Sequence, residues 1–301
     1  MQIAREIVKE DVPQVEALLK KALGTDRYTD LERLGGLTNH TYHVVMEDGR
    51  EYVVRLPGEG TEDVIVRSDE KVSTLLACRL GIDAQILLFD DAGAKVTEYV
   101  PNAITMDEES MKEKRHIEQA AEIFRTLHGC GEDTHVPFEV FDMAATYEKV
   151  IYDNNVPMPA DYLERKAQVA AIKAEIDGLF PGKKVPCHND PLCANWVEGN
   201  GKLYLIDWEY AGMNDGMWDI AAVSIEAGFK EEHDNYFLEQ YLGHQPTAEE
   251  KKHLIASKIY VDYLWTLWAK MRVPFDGQPM EDWAAERYAR MLGFINDYQK
   301  I

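Results

Sequence analysis

Acidic and amide side chains cluster between residues 188 and 209. The run beginning at His188 reads His-Asn-Asp-Pro-Leu-Cys-Ala-Asn, and Ile-Asp-Trp-Glu follows a short predicted strand at Lys202 to Ile206. A phosphoryl transfer from ATP needs a carboxylate that orients the acceptor hydroxyl and takes its proton, and oxygen ligands that hold Mg²⁺ on the phosphates. Asp190, Asn195 and Asp207 supply these groups. The segment therefore indicates phosphotransfer chemistry.

The spacing of these three residues carries the interpretation. Asp190 and Asn195 can lie at the two ends of one tight loop, and Asp207, after the next strand, can point back toward the same metal. An isolated Asp or Asn in a loop is more often a turn former. Three in this order and this close together favour a catalytic loop, and loops on a helical scaffold are where chemistry usually occurs.

The first hundred residues have the pattern of an antiparallel sheet with helices. Apolar residues at helical spacing predict a helix from Asp11 to Leu23, stopped by Gly24. Short apolar runs separated by Gly-Gly and Asp-Gly turns predict a meander through residues 31–56, and two more runs follow at 84–89 and 95–100. Between them, residues 64–80 return to helical spacing and end at Gly81.

After Pro101 the pattern becomes mainly helical. Residues 117–128 and 162–179 have helical spacing. Thr247 and Glu250 form a capping box that opens a long helix toward Arg272, and a last helix is expected at 282–299. We expect an N-terminal nucleotide-binding lobe at 1–100 and a C-terminal catalytic and acceptor-binding lobe at 101–301.

Composition excludes several classes of protein. The 301 residues carry a net charge of −22 with 46% hydrophobic residues, which is ordinary globular composition but repels nucleic acid and anionic membrane surfaces. No apolar window is long enough to span a bilayer, and acidic residues stand where a signal peptide would be apolar. The four cysteines form no Cys-x-x-Cys pair, so we expect reduced thiols. A cytoplasmic protein with a small-molecule substrate is expected.

The motifs resemble those of the choline/ethanolamine kinase family, within the aminoglycoside phosphotransferase-like group that shares the protein kinase fold. The similarity rests on the 188–195 run and on Ile206-Asp207-Trp208-Glu209-Tyr210 with Asn214 and Asp219-Ile220. Gly35-Gly36-Leu37-Thr38-Asn39 is similar to the family's phosphate loop, although it is not the protein kinase glycine motif. Val53-Val54-Arg55-Leu56 is similar to the third strand, and Glu98-Tyr99-Val100 to the hinge that meets adenine. The implied fold is α/β (α+β) and two-lobed, with an antiparallel N-terminal lobe and a mainly helical C-terminal lobe.

The resemblance also implies roles for single residues. It makes Asp190 the catalytic base, Asn195 and Asp207 the magnesium ligands, and Asp219 a buried acid that caps the catalytic loop. The nucleotide site that it implies comprises Gly36, Thr38, Asn39, Arg55, Glu70, Glu98 and Val100. For Glu70 the implied role is an ion pair with Arg55, and the alternative is one more solvated acid beside Asp69 and Lys71.

The acceptor is the least determined part of the prediction. Trp265 and Trp268 lie three residues apart on a predicted helix and resemble the paired tryptophans of the family's choline site. A quaternary ammonium is recognised by aromatic faces and by a carboxylate field. Glu209, Tyr210 and Glu226 could complete such a site. The alternative is that the tryptophans are core material, because the surrounding helix is apolar nearly all round.

We therefore expect a kinase that transfers the γ-phosphate of ATP to choline, with Mg²⁺. Ethanolamine, thiamine or an aminoglycoside are the competing acceptors. A catalytically silent nucleotide- or choline-binding module is the rival outside enzymes, and the complete set Asp190, Asn195 and Asp207 speaks against it, since binding alone needs no base.

Overall fold

A computed structural model describes residues 6–35, 39–58 and 65–301. The chain forms two compact units: Met1–Met106 with Ala194–Ala211, and Asp107–Cys193 with Gly212–Ile301. The segment after the candidate catalytic loop thus packs with the N-terminal residues, which spacing along the chain does not reveal. The division into functional lobes at residue 100 stays a prediction.

Among the described residues, strands and helices alternate early in the chain, and helices predominate later. The strands are β1 (Tyr28–Gly35), β2 (His40–Met46), β3 (Glu51–Leu56), β4 (Ile86–Phe89), β5 (Lys95–Glu98), β6 (Ile104–Thr105), β7 (Val185–Cys187), β8 (Trp196–Gly199), β9 (Lys202–Leu205) and β10 (Gly212–Asn214). The helices are α1 (Val12–Leu23), α2 (Arg67–Arg79), α3 (Glu108–Met111), α4 (Lys114–His128), α5 (Val140–Asp153), α6 (Tyr162–Leu179), α7 (Met217–Glu226), α8 (Glu231–Leu242), α9 (Ala248–Asp276) and α10 (Gln278–Tyr298).

The first unit is built on a five-stranded sheet in the order β1-β2-β3-β5-β4, with every pairing antiparallel. Alternate residues of β2 and β3 point inward, so Tyr42 lies opposite Val54 and Val44 opposite Tyr52 in the core. Helix α1 ends at Gly24, whose φ of 78° is a left-handed conformation that glycine adopts without strain. The predicted meander and its flanking helix are confirmed.

Helix α2 buries a mixed face, on which Leu76 and Ala77 lie with polar residues. Val72 and Leu75, part of the apolar pattern that predicted this helix, are exposed, whereas Glu70 and Thr74 are buried. The reason is the charge of Glu70, whose carboxylate binds cationic side chains of β3 and β5. Periodicity predicted the helix but not the face that it buries.

Two of the predicted site residues, Asn195 and Asp207, flank one β-hairpin. Strands β8 and β9 pair antiparallel, and β6 pairs with the outer edge of β8. The Ile206 amide donates to the Asn195 carbonyl at 2.9 Å, which closes the open end of the hairpin. Asn195 and Asp207 therefore lie next to one another at that end. The sequence predicted β9 but not β8.

The second unit is mainly helical, as predicted. Strand β7 pairs antiparallel with β10 and leads into the loop that contains Asp190. Helix α9 begins at the predicted capping box, in which the Glu250 amide donates to Thr247 Oγ1 at 3.2 Å. It continues past Arg272 to Asp276, and α10 follows directly. No helix among the described residues is both long enough and apolar enough to cross a bilayer.

Candidate functional site

The Arg55 guanidinium joins three parts of the first unit. It is buried on β3 and donates to Glu70 on α2 and to the Gly93 carbonyl at 3.2 Å. Its other amino group donates at 3.2 Å to Asp207 Oδ1 and at 3.2 Å to Glu209 Oε1. The ion pair with Glu70 that the sequence predicted is present. Arg55 also contacts the acid that the sequence assigns to the metal.

Glu70 is the anionic centre of this cluster. Its side chain is fully buried and is surrounded by Arg55, by Arg67 at 2.7 Å and by Lys95 at 3.5 Å. Burial alone would raise the pKa of Glu70, but the charges of Lys95 and Arg55 and the Arg67 hydrogen bond outweigh it and lower the pKa. The alternative of a solvated acid is wrong.

Arg67 was missed by the sequence analysis. It bridges Glu70 and Glu209, with 2.9 Å to Glu209 Oε1. A Cβ at Gly93 would lie 2.6 Å from Arg67 Cδ, so only glycine leaves room for this arginine. Its contact with Glu70 is an i,i+3 helix pair, but its contact with Glu209 spans 142 positions and leaves no local signal in the sequence.

Glu209 belongs to this cluster of charged side chains. Besides both arginines, it accepts a hydrogen bond from Asn39 Nδ2 at 2.8 Å. Asn39 was assigned to the nucleotide and Glu209 to the acceptor, and the structure joins them. Gly36 and Thr38, the other predicted phosphate-loop residues, lie outside the described residues.

The backbone of Asp207 has a positive φ, which is uncommon for residues other than glycine. Its φ is 69°, in the left-handed region that only Gly, Asn and Asp visit readily. Such conformations concentrate at functional sites. The carboxylate is partly exposed, and oxygens of Glu70, Asp207 and Glu209 all lie within 4.8 Å of one another. Hard divalent cations prefer such oxygen donors.

The remaining predicted residues of the first unit lie at its edges. Glu98 is exposed at the end of β5, where its amide donates to the Gln85 carbonyl at 2.9 Å. Val100 is half-buried and in close contact with β8, since a Cβ at Gly199 would lie 2.2 Å from Val100 Cγ1. Tyr210 is half-buried just after Glu209. Their predicted roles stay predictions.

In the second unit, a buried carboxylate organises the loop that carries Asp190. Asp219 on α7 accepts the backbone N–H groups of His188 and Asn189, each at 2.8 Å, and also contacts His128 Nε2 at 3.1 Å. The Trp218 indole donates to the Asn189 carbonyl at 2.9 Å. Asp219 thus caps the loop from the following helix, as the resemblance implies. These bonds tie the backbone of the loop to α7.

Asp190 itself is half-exposed, whereas the two residues before it are fully buried. The loop bends at Asn189, whose φ is 68°, and the Asp190 amide donates to His188 Nδ1 at 3.3 Å. A buried loop backbone beneath a partly accessible carboxylate can hold that carboxylate in position to act as a general base.

Three tryptophans form a connected series between α9 and α10. Trp265 and Trp268 are 6.1 Å apart in edge-to-face geometry, and Trp268 meets Trp283 in the same way at 5.9 Å. Trp265 is buried, while Trp268 and Trp283 are partly exposed. Trp283 was missed because a single aromatic residue in a helical pattern carries no distinctive signal.

The acids beside these tryptophans already have partners. Arg287 binds Glu226 at 2.5 Å and Asp262 at 3.1 Å, and its guanidinium lies 4.1 Å from the centroid of Trp283. Arg290 also binds Asp262, at 2.7 Å. Glu226 is therefore linked to the tryptophan series through Arg287. Asp262, buried and beside the tryptophans, was not identified from the sequence.

The chain is similar in sequence and in fold to proteins of one known family. The choline/ethanolamine kinase family model matches residues 32–271. A choline/ethanolamine kinase family protein from Mesorhizobium loti is 32% identical with a TM-score of 0.83, covering 95% of this chain and 94% of that one. Choline kinase LicA from Streptococcus pneumoniae is 31% identical with a TM-score of 0.81, covering 96% and 100%. Protein LicA of Haemophilus influenzae is 27% identical over 264 residues, 84% of this chain and 76% of the relative.

The fold is the protein kinase-like fold predicted from the sequence. The family match identifies the protein as an ATP-dependent phosphotransferase that acts on an alcohol group. The chain belongs to the choline/ethanolamine kinase family.

Proposed function

We propose that the protein transfers the γ-phosphate of ATP to the hydroxyl of choline, giving phosphocholine and ADP. The series Trp265, Trp268 and Trp283 carries the choice of acceptor. Aromatic faces attract a quaternary ammonium, which has no N–H group to donate. Family membership and the 31% identity to a choline kinase support the same acceptor.

Asp190 is the general base in this proposal. It would orient the acceptor hydroxyl and take its proton as the bond to phosphorus forms. Support comes from its place in the loop, where Asp219 holds the two preceding backbone amides at 2.8 Å.

Arg55 is the cation for the nucleotide phosphates. Its guanidinium is held by Glu70 from α2, so its direction is set before a nucleotide binds. Asn39 belongs to the same cluster through Glu209. Glu70 thus has a positioning role, and Glu209 serves the nucleotide side in place of the acceptor role expected from the sequence.

The residues present fit a magnesium site. Asn195 and Asp207 lie together at the open end of the β8–β9 hairpin, and Asp207 offers a partly exposed carboxylate among acids within 4.8 Å of one another. These are the oxygen donors that Mg²⁺ prefers. When bound, Mg²⁺ would neutralise charge on the phosphates. Asp207 and Asn195 would hold it, and Arg55 would balance the remaining carboxylate charge.

An ADP-release screen with Mg-ATP tests the proposal. Choline, ethanolamine, thiamine and kanamycin are compared at equal concentrations, and the product is identified by mass. The highest kcat/KM is expected with choline, together with phosphocholine formation. A higher kcat/KM with another acceptor would replace choline as the substrate, and ADP release with none of them would contradict the proposed acceptor class.

A further inference from the structure

Arg287 forms ion pairs with the acids of the proposed acceptor site and covers one face of an aromatic ring there. We propose that Arg287 is a positioning residue that makes the site prefer a quaternary ammonium to a primary one. It does so by engaging Glu226 and Asp262 and by lying over the Trp283 ring. The inference rests on the proposed function and extends it to the choice between choline and ethanolamine.

The first argument is the charge of the cluster. Two carboxylates, Glu226 and Asp262, meet two guanidiniums, Arg287 and Arg290, so their formal charges cancel. Asp262 is completely buried and binds both arginines, and Glu226 binds Arg287 at 2.5 Å. Carboxylates whose charges are balanced by these arginines offer little attraction to a further cation.

The second argument concerns the acceptor. A primary ammonium carries three N–H donors and loses their bonds to water unless oxygen acceptors replace them. A quaternary ammonium has no donor to satisfy and gains attraction from aromatic faces alone. A site whose acids are already paired therefore penalises ethanolamine and tolerates choline.

The third argument concerns the aromatic series. Trp283 and Arg287 are four residues apart on α10 and lie on one face of the helix. The guanidinium, 4.1 Å from the ring centroid, covers one face of Trp283. Trp283 in turn contacts Trp268 edge-to-face at 5.9 Å. Arg287 thus fixes the outer end of the tryptophan series as well as the acids.

The test compares R287M with R290M in the full-length protein. Both changes remove a guanidinium from Asp262, but Arg287 also donates to Glu226 and lies over Trp283, whereas Arg290 is exposed. We measure kcat/KM for choline and ethanolamine and KM for ATP. In R287M the choline-to-ethanolamine ratio should fall about tenfold or more, since one hydrogen bond to a charged group is worth at least that factor. The ATP KM should stay within about twofold, below the factor of ten that corresponds to one such bond.

A second substitution separates release of Glu226 from general damage. If Glu226 is the acid released in R287M, the R287M/E226Q double variant should lose the gain in ethanolamine activity. R287K serves if R287M does not fold, because one ammonium cannot form the same fork to both acids, and it should lower the ratio in the same direction.

Two outcomes would overturn the inference and leave the proposed function intact: an unchanged ratio in folded R287M or R287K, and an equal change in R290M. A wild-type enzyme that prefers ethanolamine, or that phosphorylates neither amine, would instead overturn the proposed function. The two failures are therefore distinguishable.

Discussion

Asp207 and Arg55, 152 positions apart in the chain, are joined by a hydrogen bond of 3.2 Å, and the Asp207 backbone is left-handed at φ 69°. The bond links β3, which carries the cation proposed for the nucleotide phosphates, to the acid proposed as the metal ligand. Both features make Asp207 a residue whose charge and backbone can be tested separately.

Asp207→Asn removes the charge but keeps a side chain that tolerates the left-handed backbone. Mg-ATP affinity and turnover should both fall about tenfold or more, equivalent to at least ~1.4 kcal/mol, while the melting temperature stays close to that of the wild type. Asp207→Ala should also lower stability by about 1 kcal/mol, because alanine is strained at this φ. Calorimetric titration with Mg-ATP measures the affinity. Unchanged affinity and activity in Asp207→Asn would remove this residue from the metal site.

Asp190→Asn tests the general base. Turnover should drop by about 10²–10⁴, the usual contribution of a positioned base. Nucleotide affinity and melting temperature should be preserved, because the loop is held by backbone bonds to Asp219 rather than by the Asp190 carboxylate. Single-turnover kinetics with saturating Mg-ATP and choline separate the chemical step from product release. Near-normal turnover would show that another group takes the proton.

The sequence predicted the elements and the short-range motifs well, and the long-range polar contacts poorly. Alternation predicted the strands of the large sheet, and the capping box at Thr247 predicted the start of α9. Arg67 and Trp283 escaped detection because a residue's partners across the fold leave no periodic signal in its neighbours. The contacts of Glu209 were missed for the same reason: adjacency to Asp207 in sequence said nothing about its bonds to Arg67 and Asn39.

Glu70→Gln tests the anionic centre of the nucleotide cluster. Three cations surround this buried carboxylate, and breaking a buried ion pair typically costs about 3–5 kcal/mol because the remaining charges lose their partner. Nucleotide affinity should fall as well, since Arg55 loses its anchor. Chemical denaturation and nucleotide titration measure the two effects. Asp91→Asn is the control: Asp91 is exposed and pairs with Lys71 only at the surface, so it should cost less than about 1 kcal/mol. Equal stability losses in the two variants would contradict the buried network.

Asp83 should make stability depend on pH. Burial, opposed by the charge of Lys95, raises the pKa of Asp83 to about 6 from the ordinary 3.8. The folded state therefore binds this proton more tightly than the unfolded state does, so the stabilising contribution is complete at pH below the ordinary pKa and is lost as pH rises through the folded pKa. Ionised Asp83 costs about 3 kcal/mol near neutral pH, at 1.36 kcal/mol per pKa unit.

Asp83→Asn should remove that cost, because the amide oxygen can still accept the Ala84 N–H bond of 2.6 Å. The variant should be more stable than the wild type near neutral pH and close to it at about pH 3, where Asp83 is protonated in the folded state and largely protonated in the unfolded state. Urea denaturation across this range measures the difference. A difference that is constant with pH would show that Asp83 does not titrate between these values.

Replacement of Trp265 or Trp268 by leucine tests the acceptor site. A cation–π contact with a desolvated quaternary ammonium is worth about 2 kcal/mol, so loss of one ring should raise the choline KM roughly thirtyfold and leave the ATP KM nearly unchanged. Leucine is preferable to alanine, because truncation of a buried tryptophan to alanine leaves a cavity that costs about 3–5 kcal/mol. Trp268 is the more informative position, since it is partly exposed and contacts both other rings, whereas Trp265 is buried.

Steady-state kinetics and thermal melting, measured on the same preparations, separate the two roles of these rings. A residue that contacts the acceptor changes choline KM at nearly constant melting temperature, and a core residue lowers the melting temperature at constant choline KM. We expect the first pattern for Trp268→Leu and a combination of both for Trp265→Leu, because the buried ring also packs within the second unit. Finding only the second pattern at both positions would show that these tryptophans do not form the choline site. A primary amine such as ethanolamine would then become the leading candidate acceptor.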